Sequence, residues 1–402
     1  MAAIPRYRPQ TGPFILSAGF RPFFLAASLW AALAIPLWLI VYAGNGAMPS
    51  AMPALIWHVH EMVFGYAAAA VAGFLLTAIP NWTGRLPLQG SPLALLVALW
   101  LIGRLGVFFS AAVGAPIAAL ADLAFPAAFL AVVAREILAG KNWRNLPVLV
   151  ALSLLLIGNA LVHIEVLGIA DTATLGNRIG LVTLFLLISL VGGRIIPSFT
   201  RNWLVKNRPE IAPPAPEGAF DFIVLAITAL ALAIWAVLPD AAITAWAALI
   251  AGAAAGVRLW RWRGYATARE PLLLVLHVGY FWIVLGLLLL GIDGLFGFLP
   301  SSAALHALTA GGVGTMTLAV MTRATLGHTG RPLAAGPGTN TIYLLITLAA
   351  LLRVLAPLAG EAMMTVLDLA GAAWSLAFGL FAVLYGSALA RPRAPAGAAR
   401  PI

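Results

Sequence analysis

Apolar runs of about twenty residues follow one another from residue 20 to residue 389, separated by short polar breaks. Each run is long enough for an α-helix to cross the roughly 30 Å hydrocarbon layer of a bilayer. A membrane barrel would need shorter segments of alternating polarity, and they are absent from the sequence. The pattern predicts twelve spans, near 20–43, 54–79, 92–113, 115–138, 146–168, 175–196, 219–238, 241–260, 270–291, 301–326, 340–359 and 362–389. The expected fold is all-α, a polytopic membrane protein embedded in a lipid bilayer. Its connections are short, so residues 1–402 read as a single helical domain. The longest break, 197–218, contains Pro209, Pro213, Pro214 and Pro216 and reads as an extended linker between two six-helix halves.

The charged positions give this pattern a direction. Only 9% of residues are charged and 62% are hydrophobic, far from the roughly 25% charged of a soluble domain. With the N-terminus inside, 20 of the 23 Lys and Arg residues fall on the inner side of the spans. Arg104, Arg178 and Arg353 are the exceptions. That bias obeys the positive-inside rule at every even-numbered loop and predicts cytoplasmic termini. The net charge of +10 therefore marks membrane orientation and does not imply nucleic-acid binding. The first span lacks a cleavage signature and is expected to be retained. The absence of cysteine excludes disulfides, thiolate-held iron–sulfur clusters and covalent c-type haem.

A repeat is hinted at by the ends of three spans. The second ends Ile79-Pro80-Asn81-Trp82-Thr83, the sixth Ile196-Pro197-Ser198-Phe199-Thr200-Arg201 and the tenth Met321-Thr322-Arg323-Ala324-Thr325. They are four spans apart, as a pseudo-threefold 4+4+4 arrangement requires.

Ionisable side chains within the spans are the candidates for chemistry, because burying them in a bilayer is costly. Trp57-His58-Val59-His60-Glu61-Met62 places three at the entry to the second span. Six histidines are the main stock of metal ligands, and neutral imidazole suits iron, copper and zinc. Helical rise puts His60, His163 and His306 at one depth, about 10 Å to the outer side of their span centres. His58 and His60 are about 200° apart on a helix, so they suit two sites better than one. Asn159 precedes His163 by one turn and is placed to orient its ring. His277 is deep in the ninth span and would need a partner or a metal. His306 leads into Gly311, Gly312 and Gly314, where another helix or a flat porphyrin could approach. His328, in Gly327-His328-Thr329-Gly330-Arg331, suits a solvated or propionate-contacting role better than a ligand role. Glu61 and Asp122 are candidates for a proton path from the outer face, and Glu61 also for orienting a ligand. Arg178, Arg194 and Arg353 could pair with haem propionates, although Arg194 fits inward snorkelling better. No Walker loop, nucleophile elbow or His-Glu-x-x-His motif is present.

Several longer motifs resemble those of the NnrS family of bacterial inner-membrane proteins. They include Phe20-Arg21-Pro22-Phe23-Phe24, the Trp57–Met62 stretch with Gly65, and Gly73-Phe74-Leu75-Leu76-Thr77-Ala78-Ile79-Pro80-Asn81-Trp82-Thr83-Gly84. Gly193-Arg194-Ile195-Ile196-Pro197-Ser198-Phe199-Thr200-Arg201-Asn202, Leu276-His277-Val278-Gly279-Tyr280, the stretch His306–Met316, Met321-Thr322-Arg323 and the stretch Leu326–Pro332 continue the match in order. The resemblance implies a haem- and copper-containing protein of nitric oxide metabolism and nitrosative-stress defence, often alongside denitrification. One or two b-type haems and a copper would then draw on His58, His60, His163, His277 and His306. Such a centre, near the outer face, could bind nitric oxide. It could also reduce it as an oxidoreductase, given electrons from a quinol or a cytochrome. Haem–copper oxidases and nitric oxide reductases also have twelve-helix, threefold cores, an analogy at the level of the fold. The alternative is a transporter of a metal, haem or metal–nitrosyl complex, since twelve spans with a central linker are a common transporter layout. A haem-based nitric oxide sensor is a lesser alternative, because no output domain is recognisable.

Overall fold

The computed structural model describes residues 12–395 and 402. These residues are helical and contain no strand. Twelve helices are long and apolar enough to cross a membrane: α1 Phe20–Tyr42, α2 Ala54–Thr83, α3 Ser91–Phe108, α4 Ala115–Ala139, α5 Trp143–Val166 and α6 Ala173–Asn207, then α7 Ala219–Val237, α8 Ala242–Arg261, α9 Pro271–Phe296, α10 Ser301–His328, α11 Pro337–Leu358 and α12 Gly360–Ala390. Every predicted span is present. Proline fills the first turn of α3, α4, α9 and α11, where its missing N–H costs nothing. Gly84 and Gly297 stop α2 and α9 in the left-handed conformation, which glycine adopts without strain.

The largest departure from the expected spans is in α6. It continues through Pro197 to Asn207, so the connection to α7 is confined to 208–218. Proline inside a membrane helix removes one hydrogen bond and leaves the rest of the ladder intact. Three helices also leave regular α geometry. α2 is π-helical over Glu61–Ala67, α6 over Ile188–Gly192 and α10 over Ala307–Gly314. These are the three spans whose ends resemble one another in sequence.

The chain divides into two compact units, and the division falls between Gly180 and Leu181, inside α6 and not in the linker. The first unit takes the described residues up to Gly180, the end of α10 (Ala324–Arg331) and the end of α12 from Ala382. Its close contacts rest on small residues. A Cβ on Gly73 would strike the Phe24 ring, and one on Gly158 would reach the backbone of Gly176. Arg21 at the start of α1 donates to the carbonyls of Leu389 and Arg391 at 2.7 Å, satisfying the exposed end of α12. In the second unit Trp282 of α9 lies over Gly311 and Trp374 of α12 over Gly314. Gly311 and Gly314 of α10 thus receive aromatic side chains from neighbouring helices, the packing mode expected where water cannot drive association. Arg258 is also buried there. It donates to Asp221 at 3.0 Å and to the Ser189 carbonyl at 3.0 Å, within the π-helical turn of α6.

Candidate metal centre

α2 carries the central histidine. Its first turns, from Ala54, are regular, and the π-helical segment begins directly after His60. A π-helical turn holds an extra residue and disturbs the backbone ladder. The carbonyl of Gly65, within that turn, accepts a hydrogen bond from Trp100 Nε1 at 3.0 Å. His60 and Glu61, consecutive residues at that junction, are both fully buried.

Around His60 the first unit gathers polar side chains from α2, α3, α4 and α5. Asp122 Oδ2 lies 3.1 Å from His60 Nε2 and 2.9 Å from His163 Nε2. Asn159 Oδ1 is 2.9 Å from His60 Nε2, and Glu61 Oε1 is 3.0 Å from His60 Nδ1. Arg104 donates to Glu61 Oε1 at 2.6 Å and also to Asp122 Oδ1. All six residues are buried, the most accessible being His163 at 2%. Pro126, four residues after Asp122 inside α4, cannot donate to the Asp122 carbonyl, so the helix is relaxed at that point.

Charge counting shows what this cluster lacks. Arg104 contributes one positive charge against the two carboxylates of Glu61 and Asp122, so with both ionised the cluster needs one further positive charge to be neutral. Uncompensated buried charge is expensive. His60 meets an acidic oxygen on each ring nitrogen, yet a neutral imidazole donates from one nitrogen only. A doubly protonated His60 would meet both needs, and so would a metal cation bounded by His60 Nε2, His163 Nε2 and Asp122 Oδ2. These ligand atoms lie within 4.8 Å of one another. Donors about 2.0–2.1 Å from a zinc- or copper-sized ion are spaced on that scale. Glu61 would then hold the His60 Nδ1–H and fix its tautomer, and Arg104 would hold both carboxylates.

The remaining candidates are elsewhere. His58 points away from His60 and stacks on Trp38, with ring centroids 4.2 Å apart. His306 is half-buried, and its Nδ1 donates to the Ser302 carbonyl at 2.7 Å. That bond leaves Nε2 as the acceptor nitrogen, the tautomer an iron- or copper-bound histidine uses. His277 is buried, with Nε2 2.9 Å from the Thr200 hydroxyl. Gly264 packs on the other side of its ring, where a Cβ would come within 2.6 Å of Nδ1. His328 is exposed at the end of α10 beside Phe20. Arg178 and Arg353 are half-buried on α6 and α11, and Arg194 is 3.7 Å from Glu217. The expected pairing of Asn159 with His163 is replaced: Asn159 serves His60, and Asp122 serves His163. Arg104 was counted in the sequence only as an exception to the charge bias. The signal that could have found its role is an arginine within an otherwise apolar span.

Fold and site together define a polytopic helical membrane protein with a buried cluster of two histidines and a carboxylate. A family model described as "NnrS protein" matches residues 14–393, and the chain belongs to that family. No curated protein matches it.

Proposed function

We propose that this chain is a membrane metalloprotein of nitric oxide metabolism and nitrosative-stress defence, with a copper ion held by His60, His163 and Asp122. Family membership supports the link to nitric oxide. The observation that carries the metal is the buried cluster itself, in which three ligand atoms converge. Two imidazoles with one carboxylate leave positions open on a first-row ion. Copper bound there supplies one-electron chemistry and a place for a diatomic ligand. Arg104 fixes the two carboxylates, Glu61 orients His60, and Asn159 gives the open side an amide. His306 is the residue best prepared to hold a haem iron, since its Nδ1 is already committed to Ser302. His58 is the second choice. The excess of basic residues on one side supports cytoplasmic termini, and family membership supports a bacterial inner membrane.

The test is metal analysis and visible and electron paramagnetic resonance spectroscopy of the purified protein and of His60→Ala, His163→Ala and Asp122→Asn. Each of the three substitutions is expected to remove copper, and His306→Ala to remove haem while leaving copper in place. Full copper in all three site variants would refute the assignment.

A further inference from the structure

The metal cluster lies next to an apolar cleft that the chemistry described so far does not use. Phe64 and Ala68 of α2, Phe125, Pro126 and Phe129 of α4, and Leu152, Leu155 and Asn159 of α5 line it. No charged side chain faces it, and Asn159 is its one polar residue. That amide touches His60 Nε2 at 2.9 Å, and the Phe64 ring lies 5.3 Å from the His60 ring. Its inner end therefore abuts the ligand atoms. Ala68 and Pro126 are partly exposed where the other lining residues are buried, so they mark its mouth. Phe125 and Leu152 are near the middle of α4 and α5, at the depth of the hydrocarbon layer and not of the headgroups. Pro126 lies one turn after Asp122 in α4 and leaves the Asp122 carbonyl without its helical donor.

The geometry points to a route by which a small uncharged gas passes from the bilayer interior to the metal centre. The proposal rests on the metal reading above and names the kind of molecule that centre receives. An ion would lose its hydration in such a lining with nothing to replace it. The remaining room fits about one water-sized sphere, which excludes a quinol or a sugar; a diatomic molecule or a xenon atom enters as the apolar side chains that line it give way. Such molecules are uncharged and dissolve in hydrocarbon, so a mouth within the bilayer meets them where they concentrate. Asn159 at the inner end is the single polar group, the arrangement of an apolar pocket that orients its ligand by one contact.

Two measurements test the route. The first uses xenon, an apolar probe, on the full-length metal-free protein, with a structure determined under xenon pressure. Xenon is expected among Phe64, Phe129, Leu152 and Leu155. An empty cleft, or a lipid acyl chain resolved in it, would overturn the proposal whether or not copper binds at His60. The second measures nitric oxide and carbon monoxide binding to the reduced, copper-loaded protein by flash photolysis. Ala68→Phe places a ring at the mouth, away from the ligand atoms. It is expected to slow association and dissociation together by roughly tenfold, leaving affinity and copper content unchanged. Unchanged rates in a copper-replete variant would overturn the route. Loss of copper from the wild-type protein's assigned ligands would instead remove the metal reading, and the xenon result would still decide the cleft.

Discussion

A methyl group on Gly65 would stand 2.8 Å from both Arg104 Nη1 and Glu61 Oε2, and 2.9 Å from Trp30 Nε1. The absence of a side chain there lets the charged network close against α2. Gly65→Ala is expected to displace Arg104 and Glu61, cost about 1–3 kcal/mol as an overpacked core does, and lower copper occupancy. Thermal unfolding in detergent and metal content measure the two effects. Glu270, just before α9, has a simpler environment. Burial pushes its carboxyl above the usual 4.5, against the opposing influence of the Leu272 backbone and the Arg323 charge. The folded protein therefore binds this proton more tightly than the unfolded chain. The resulting stabilisation is present at low pH and is lost as pH rises above 4.5 through the raised folded value. Glu270→Gln should flatten that part of the stability–pH curve, as unfolding measured across the range would show. At this scale the sequence disclosed the types of residue, and helical rise gave their depth. It could not give their azimuth across helices, which is why His60, His163 and Asp122 were on the shortlist without being joined. For the same reason sequence spacing alone pairs Asn159 with His163 and gives Arg104 no partner, where the structure joins Asn159 to His60 and Arg104 to Glu61 and Asp122.

Among the elements, α2 depends most on departing from regular helix geometry. His60 lies at the junction between α-helical and π-helical backbone. The winding there decides whether the imidazole meets Asp122 or the lipid. Deleting one residue within 61–67 would return the segment to α-helical phase, a relative rotation of about 100° for one residue at 3.6 per turn. Such a deletion variant is expected to insert in the membrane at normal yield but to lose copper. Copper retained at full occupancy would show that the π segment does not set the ligand geometry. Similar π segments in α6 and α10 recur every four helices, matching the period suggested by the ends of the second, sixth and tenth spans. This recurrence supports the 4+4+4 repeat as a proposal. The sequence offered no direct sign of the π segments, because the hydrophobic run is the same whichever way the backbone is wound. It did disclose the twelve helices, since a run of twenty apolar residues is a one-dimensional signal that needs no tertiary information. The error at α6 has a related cause: Pro197 reads as a terminator in water, while a membrane helix tolerates it.

At the level of the whole molecule, depth and orientation together determine from which side the metal is reached. His60 is six residues from the start of α2 at Ala54, and Asp122 is seven from the start of α4 at Ala115. At about 1.5 Å per residue, both are roughly 10 Å inside the membrane face on which those helices begin. His163 is three residues from Val166, the end of α5 on that same face. The basic residues cluster at the opposite face, which the proposed topology makes the cytoplasmic one. The copper site is then closer to the outside, and exchange with a membrane-impermeant copper chelator should depend on vesicle orientation. Copper should leave faster from right-side-out vesicles than from inverted ones, because the shorter path crosses only the outer turns of α2, α4 and α5. Arg104, four residues from the end of α3 at Phe108, guards that path while it is paired with both carboxylates. Arg104→Lys keeps one charge but cannot span two carboxylates in a fixed fork. It should therefore speed copper loss from right-side-out vesicles more than from inverted ones. Equal rates from the two orientations, in the wild-type protein and the variant alike, would show either that the centre is not in the outer half or that copper leaves by a route that does not pass Arg104.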